Sequence, residues 1–337
     1  MINIAEALPL LIHFLNKATG SIVVFENAVS LAGGASREMV LLTLTIDGVT
    51  AKYVLRRDPP TQMNEQSLTR AQEFEVMVAA YDAGVRVAKP RWLCEDPAVL
   101  GSPFFIMDYV EGMGIGRKVV AAPELAEARA ALPRQMAEEL AKIHALSIED
   151  FDFLPAPRPG HSSARDAIAM CYEVLDTLQV FNPAIEAALR WAERNAPAVE
   201  TWSFVHGDFR IGNLLVNETG LAAVADWEFC HVGDPDEDLG YPCMRDWRFG
   251  MGHLRFAGVS DRETFLQAYE AASGRKVNRD SVDFWEILGN IRWGVICLAQ
   301  ANRHLSGRES SVELASIGRR SAEMQLETLR LIQQFGG

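Results

Sequence analysis

Cysteine is scarce in this chain and never closely paired: Cys94, Cys171, Cys230, Cys243 and Cys297 are odd in number and none stand in a CxxC spacing. This gives neither a disulfide framework nor a zinc-ligand pattern, so the five are expected as reduced thiols. Long apolar runs are missing too. The nearest, Leu8 to Leu15, is interrupted by His13 and is too short to span a bilayer. It has no basic leading segment and no small-residue cleavage site, so no signal peptide is expected. No membrane partner and a cytoplasmic location are the resulting expectations. Basic charge is in deficit, with 32 Lys and Arg against 45 Asp and Glu and a net charge of −13. No nucleic-acid partner is expected, because displacing counterions from a phosphate backbone takes a basic surface. Low-complexity tracts and internal repeats are absent as well, leaving an ordinary globular chain with 49% hydrophobic and 23% charged residues.

What is present is concentrated in one stretch. HGDFRIGN, His206 to Asn213, is followed by an apolar run that ends in ADWE, Ala225 to Glu228. An Asp, an amide five residues on and a second Asp thirteen residues beyond can together hold magnesium and a phosphate. Protein kinases use an Asp, an Asn five residues later and then a metal-binding Asp for phosphoryl transfer. The transition state of that reaction is loose and asks mainly for alignment and charge neutralisation. On this reading Asp208 accepts a hydrogen bond from an attacking hydroxyl, Asn213 and Asp226 offer hard oxygens to Mg2+, and Arg210 reaches the transferring phosphoryl oxygens. Either Asp alone could equally cap a turn; the ordered set between apolar strands is what points to chemistry. His206 is left with two readings, orienting the loop or taking part directly. Trp202 to Val205, Leu214 to Val216 and Leu221 to Ala225 read as strands, with Asn217 to Gly220 as the turn between the last two.

The length of 337 residues predicts two domains or one two-lobed unit. Ser21 to Arg57 alternates as three strands, through Val23 and Phe25, then Met39, Leu41 and Leu44, then Ala51, Tyr53 and Leu55, with Asp47 and Gly48 as a hairpin turn. AGGASR, Ala32 to Arg37, reads as a small-residue loop that folds its amides over phosphates or as an ordinary turn. The third strand ends in VLRRDPP, Val54 to Pro60, and leads to a helix, Glu65 to Ala83, with Phe74, Met77, Val78 and Tyr81 as its apolar stripe. Arg56 and Glu73 are the candidates for a strand cation paired with a helix carboxylate that grips nucleotide phosphates. Glu75 also flanks the stripe, and periodicity does not choose between the two. The apolar strand Pro103 to Val110 breaks into EGMGIG, Glu111 to Gly116, read as a hinge that leaves backbone groups near Asp108 and Val110 for an adenine edge. The glycines there do not form GxGxxG.

Beyond the hinge the chain reads helical at Arg134 to Ala145, Ser163 to Gln179 and Pro183 to Asn195, with His144 as a satisfied core histidine. Further helices are expected at Arg262 to Ala272, Arg279 to Leu305 and Ser311 to Gln334. The middle one carries Phe284, Leu288, Ile291, Val295 and Leu298 as a core stripe. Asp283, Glu286 and Trp293 on its other faces either line a substrate pocket or belong to a solvated face.

On HGDFRIGN, ADWE and GDPDEDLG (Gly233 to Gly240), and more weakly on VLRR and the hinge strand, the chain resembles the aminoglycoside phosphotransferase and choline kinase-like family from about Val23 to Leu331. VLRRDPP, HGDFRIGN and DFWEILGNIRW, Asp283 to Trp293, look like the branch related to the kinase domain of acyl-CoA dehydrogenase family member 10, which is associated with hydroxylated acyl-CoA-type substrates. The resemblance implies an α+β, bilobal protein-kinase-like fold. A small antiparallel sheet with one helix would form an N-terminal nucleotide-binding lobe, 1–110, and a larger, mostly helical part would form a C-terminal catalytic and substrate-binding lobe, 111–337. It implies Asp208 as catalytic base, Asn213 and Asp226 as metal ligands, Arg56 with Glu73 as the phosphate-gripping pair, and the backbone of Asp108 and Val110 as the adenine site. ATP and Mg2+ would be the cofactors and a small-molecule hydroxyl the substrate. Arg56 stands where the family usually has Lys, keeping the charge in a bulkier, planar form. From Asp234 onward 13 basic residues stand against 15 acidic ones. That near-balance favours a neutral or anionic acceptor, such as a hydroxyacyl-CoA, over a polycationic aminoglycoside or an amino alcohol. A pseudokinase that binds without turnover is the alternative of another class. Neither the acceptor nor the oligomeric state follows from the sequence.

Overall fold

The computed structural model describes residues 4–31, 38–58, 67–198 and 201–335; the AGGASR segment, Ala32 to Arg37, lies outside them. Five strands, β1 (Val23–Ser30), β2 (Glu38–Ile46), β3 (Val49–Arg57), β4 (Pro90–Cys94) and β5 (Phe104–Asp108), form an antiparallel sheet in the order β1-β2-β3-β5-β4. Asp47 and Gly48 both take positive φ, the conformation a tight hairpin turn demands. The turn fixes the register, with Ile46 opposite Val49 and Met39 opposite Arg56. Val40, Leu42 and Leu44 point inward; apolar residues on both faces of β2 hide this alternation in the sequence.

Those three meet α1 (Ile4–Thr19), whose Leu11 and Leu15, one turn apart, are fully buried against the sheet. Each such burial stabilises by about 2 kcal/mol. The Leu8-to-Leu15 run is therefore a docking stripe, and α1 adds a helix to the expected strand-rich lobe. On the other face lies α2 (Arg70–Asp82), which opens on a capping box between Thr69 and Gln72. Its inward residues are Arg70, Glu73, Val76, Met77 and Ala80, while Val78 and Tyr81 of the expected stripe are exposed. The helix is rotated because two charged residues hold inward positions. This selects Glu73; Glu75 is exposed. The β5 strand is sandwiched, Phe104 and Ile106 packing towards α1 and Phe105 towards the helices beyond, so it reads as an unbroken apolar run.

After the four-residue α3 (Pro97–Leu100) and β5, the glycine run crosses to the rest of the chain. Met113 exchanges two backbone hydrogen bonds with Val216, 2.7 and 3.1 Å, so the hinge is stitched to a hairpin made by β7 (Leu214–Asn217) and β8 (Gly220–Val224). A second ribbon pairs β6 (Ser203–Val205) with β9 (His231–Gly233). Around the ribbons pack α4 (Gly116–Ala121), α5 (Ala126–His144), α6 (Ser163–Leu178), α7 (Pro183–Asn195), α8 (Asp236–Gly240), α9 (Arg262–Ser273), α10 (Arg279–Leu305), α11 (Val312–Gly318) and α12 (Arg320–Phe335). The single helix expected over Ser311 to Gln334 is thus two, parted at Arg319.

The long α10 touches α6, α7, α8, α11 and α12. It is consequently buried beyond its apolar stripe, at Trp285, Glu286 and Asn290 as well. The small antiparallel sheet and mostly helical remainder are the architecture expected from the sequence. Among the described residues no helix is long and apolar enough to cross a membrane.

Candidate active site

The loop after β6 is held from below by one carboxylate. Asp238, on α8 and fully buried, accepts the backbone N–H of His206 at 2.6 Å and of Gly207 at 3.0 Å. His144 of α5 approaches the same carboxylate through Nε2 at 3.2 Å and meets the Tyr269 hydroxyl through Nδ1 at 2.7 Å. His144 is therefore a satisfied core histidine, with an acidic partner that lies far away in sequence. Gly207 has φ +80°, and a Cβ there would collide with the Phe229 carbonyl, so the tight approach admits glycine alone. The His206 ring is fully buried between Phe209 and Trp227, and its Nδ1 accepts the N–H of Asp208 at 3.3 Å. Burial pushes its pKa down against the opposing charges of Asp238, Asp208 and Asp226. A neutral, enclosed ring that accepts a loop N–H orients the loop.

Asp208 emerges with its carboxylate shared between neighbours. Arg210 Nε donates to Oδ1 at 3.0 Å, and Asn213 Nδ2 donates to Oδ2 at 2.5 Å and to the Asp208 carbonyl at 3.0 Å. The hydroxyl of the half-buried Tyr241 bonds it too; desolvation, then the Asp208 charge, pushes that phenol well above its ordinary range. Arg210 was expected to project towards a phosphoryl group. Its guanidinium pairs with Asp208 and lies 4.6 Å over the Trp247 ring.

Facing this loop, Arg56 at the end of β3 bridges two acids. Its Nε donates to Glu73 at 3.1 Å, and its Nη2 reaches Glu73 at 3.1 Å and Asp226 at 2.6 Å. A planar fork can hold both partners at once, which a point-like ammonium does less well. Glu73 is also gripped by the fully buried Arg70, which in turn bonds Asp58 at 3.1 Å. Asp226 sits in the left-handed region, φ 66° and ψ 66°, a conformation Asp tolerates better than most residues. Burial alone would raise its pKa, but the Arg56 charge and hydrogen bond, with Arg210 behind, hold it below the usual carboxylate range. With Asn213 Nδ2 spent on Asp208, its Oδ1 is the free oxygen of that amide. Two hard oxygens, from Asn213 and Asp226, fit magnesium, which prefers to complete its shell with water and phosphate.

At the hinge, the Asp108 N–H donates to the Lys89 carbonyl at 2.9 Å, and its carboxylate forms a bidentate pair with Arg91, 2.6 and 2.8 Å. Asp108 can then offer a ligand only its carbonyl, and Val110 follows two residues beyond. The expectation for Asp283 and Glu286 is altered by their partners. Asp283 pairs with Arg255 at 3.0 Å and with Arg262, and the fully buried Glu286 with Arg255 at 2.7 Å and Arg248 at 2.9 Å. Their charge is spent inside the fold. Trp293 donates Nε1 to Asp246 at 2.5 Å and packs on Trp247. The space near them is instead a cavity of about 560 Å3 between α12 and the segment 245–252, rich in arginine. It adjoins the Asp208 loop: Trp247 carries Arg210, and Phe249 of its lining lies so close to Gly116, beside Ile211, that a Cβ on Gly116 would clash.

Sequence reasoning missed Asp238, Tyr241, Trp247 and Arg70. GDPDEDLG was visible as a motif, but nothing local sets Asp238 apart from Asp234, Asp236 and Glu237 beside it; the others have no local signal either.

Residues 27–285 match the model of the phosphotransferase enzyme family. Acyl-CoA dehydrogenase family member 10 of Mus musculus is 31% identical over 287 residues, which cover 81% of this chain and 26% of that protein. The chain spans between 26% and 37% of the length of such curated relatives. Among solved structures, one from Ralstonia eutropha provisionally named an aminoglycoside phosphotransferase superposes with a TM-score of 0.77 at 23% identity, over 98% of this chain and 99% of that one. Spectinomycin phosphotransferase in complex with ADP and spectinomycin gives 0.61 at 15% identity, over 95% and 98%. At these identities the structural likeness speaks for the kinase-like fold.

Proposed function

Since the chain belongs to the phosphotransferase enzyme family, we propose that it moves the γ-phosphate of ATP, with Mg2+, to a hydroxyl of a small molecule, and that this acceptor is anionic, of the hydroxyacyl-CoA type. The observation that carries the reading is the convergence of the Asp208 carboxylate, held by Arg210 and Asn213, with the Asp226–Arg56–Glu73 line across the cleft. Asp208 accepts the proton of the attacking hydroxyl. Arg56, braced by Glu73, holds the nucleotide phosphates, and the Asp108 carbonyl with Val110 meets the adenine edge. Asn213 and Asp226 would hold magnesium, whose contribution is to neutralise charge on the phosphates. Arg210, leaning on Trp247, fixes the base and stands next to the transferring group. The division of labour would run between a nucleotide lobe, 1–110, and a catalytic and substrate lobe, 111–337.

An ADP-bound neighbour of the same fold supports nucleotide use, and the likeness to the mouse acyl-CoA dehydrogenase relative supports the acceptor class. A polycationic aminoglycoside is disfavoured by the arginines of the adjoining cavity. The test is ADP release with ATP, Mg2+ and a panel of hydroxyacyl-CoA, amino-alcohol, sugar and aminoglycoside acceptors, with Asp208→Asn as the control. Phosphorylation of a hydroxyacyl-CoA that the control lacks is the expected result. Binding of ATP with no acceptor-stimulated release above the control would leave the pseudokinase reading.

A further inference from the structure

We infer that the cavity beside the Asp208 loop is an anion seat, in which Arg245, Arg320 and Arg330 take a phosphate or carboxylate that the acceptor carries away from its reacting hydroxyl. Calling the ligand the acceptor rests on the kinase reading above; the anion site itself does not.

The charge count is the first ground. Five arginines, Arg117, Arg245, Arg248, Arg320 and Arg330, line the cavity against three carboxylates. Glu323, exposed on α12, offsets one of the five, and the other pairs are uneven. Three guanidiniums converge on the buried Glu327, with Arg245 and Arg330 at 3.2 Å and Arg248 at 3.8 Å. One carboxylate cannot neutralise three cations, and guanidiniums gathered around it repel one another. Arg248 has Glu286 as a second partner, but Arg255 shares that carboxylate. Asp246 is divided between Arg320 and the Trp293 indole. Arg117 has no ion-pair partner among the described residues.

Exposure is the second ground. Arg248 is locked, with 8% of its side chain exposed, whereas Arg245, Arg320 and Arg330 are 49%, 42% and 63% exposed. The buried arginine sets the field while the open three can turn their forks to a ligand, the bidentate geometry that suits carboxylate and phosphate. About 560 Å3 accommodates a small organic molecule. The position is the third ground. Trp247, between the lining residues Asp246 and Arg248, carries Arg210 on its ring, and Arg210 holds Asp208. An acceptor seated on the arginines therefore lies alongside the proposed base.

The experiment is calorimetric titration of the full chain with ADP and Mg2+ at saturation, so that the nucleotide site is filled. The probes are coenzyme A, a free hydroxy acid and the uncharged ethyl ester of that acid. The two anionic arms separate a phosphate source from a carboxylate source. We expect at least one anion to bind about tenfold or more tightly than the ester, and to weaken as KCl is raised. Arg245→Ala with Arg330→Ala should cost about tenfold per guanidinium without changing ADP affinity, and Arg245→Lys should keep only part of the binding. Equal binding of all three probes, or an unchanged anion affinity in the double variant, overturns the inference. In that case turnover of an uncharged acceptor, absent in Asp208→Asn, would leave the kinase reading standing alone. Arginine-dependent anion binding with no phosphorylated acceptor sustains the site and removes only the kinase reading.

Discussion

The loop that carries Asp208 and the cavity next to it differ in charge and in how the chain assembles them. Asp208, Asn213 and Asp226 come from one stretch of two strand ends and a hairpin, so their spacing in sequence is nearly their spacing in space. The five arginines come from α4, from the segment 245–248 and from α12, and meet because α12 packs on that segment and on α10. The first region has its carboxylates individually braced by cations and amides, each with a named partner. The second has more cations than its carboxylates can satisfy. Balanced charge fixes geometry, and surplus charge calls for a ligand.

The sharpest break in that comparison is Asp208→Asn, which keeps an acceptor for Arg210 while removing the proposed base. Acceptor-stimulated ADP release should fall by about 100- to 10,000-fold, with a stability loss of about 1 to 3 kcal/mol because one acceptor oxygen becomes an NH2 facing its donors. Asp238→Ala attacks the same loop from beneath. It leaves two buried N–H groups and His144 without their carboxylate, and equilibrium unfolding should show a loss of about 3 kcal/mol or more. Next is Arg56→Ala, which abandons Glu73 and Asp226 together. Nucleotide affinity should drop by about tenfold or more in a direct ADP titration, while Arg56→Lys should recover only part of it because one ammonium cannot reproduce the fork.

How much of this was legible in the sequence follows from the same contrast. Asp208, Asn213 and Asp226 were readable because a strand–loop–hairpin keeps its residues local. Arg56 and Glu73 were readable as candidates, but choosing Glu73 over Glu75 took the rotation of α2, and periodicity misjudged that face since it scores Arg70 and Glu73 as outward. Asp283 and Glu286 look, in sequence, like free polar positions on a helix. Their arginine partners lie 21 to 38 positions earlier along the chain, so no local pattern announces that they are spent. The near-neutral charge of the C-terminal third concealed a segregation that only folding produces, acids inward on Glu286 and Glu327 and guanidiniums around the cavity.

Acid titration probes the braced side of the comparison more gently. Burial alone would raise the Glu237 pKa, but Arg292 and His231 bring it down to about 2 from the usual 4.5. A carboxylate depressed by folding stabilises the native state above its unfolded pKa and loses that contribution as pH falls through the folded value. Stability should therefore decline from about pH 4.5 towards pH 2, and Glu237→Gln should flatten that part of the profile in urea melts followed across pH. The smallest effect is expected from Glu75→Gln. Its side chain is exposed, so stability should shift by less than about 0.5 kcal/mol, and nucleotide affinity should not change. A Glu75 effect as large as that of Glu73→Gln would undo the assignment of the Arg56 partner.

The sequence by itself determined the strand order of motifs, the Asp208 loop, the hairpin behind Asp226 and the family resemblance, because these depend on alternation, turns and short spacings that act within a few residues. The tertiary structure alone decided that Asp238 anchors the loop, that Arg56 spans two acids and that the arginines around Glu327 outnumber their partners. Those are matters of which distant side chains share a buried volume, and in a low-dielectric interior a charge acquires its meaning from the partner it meets.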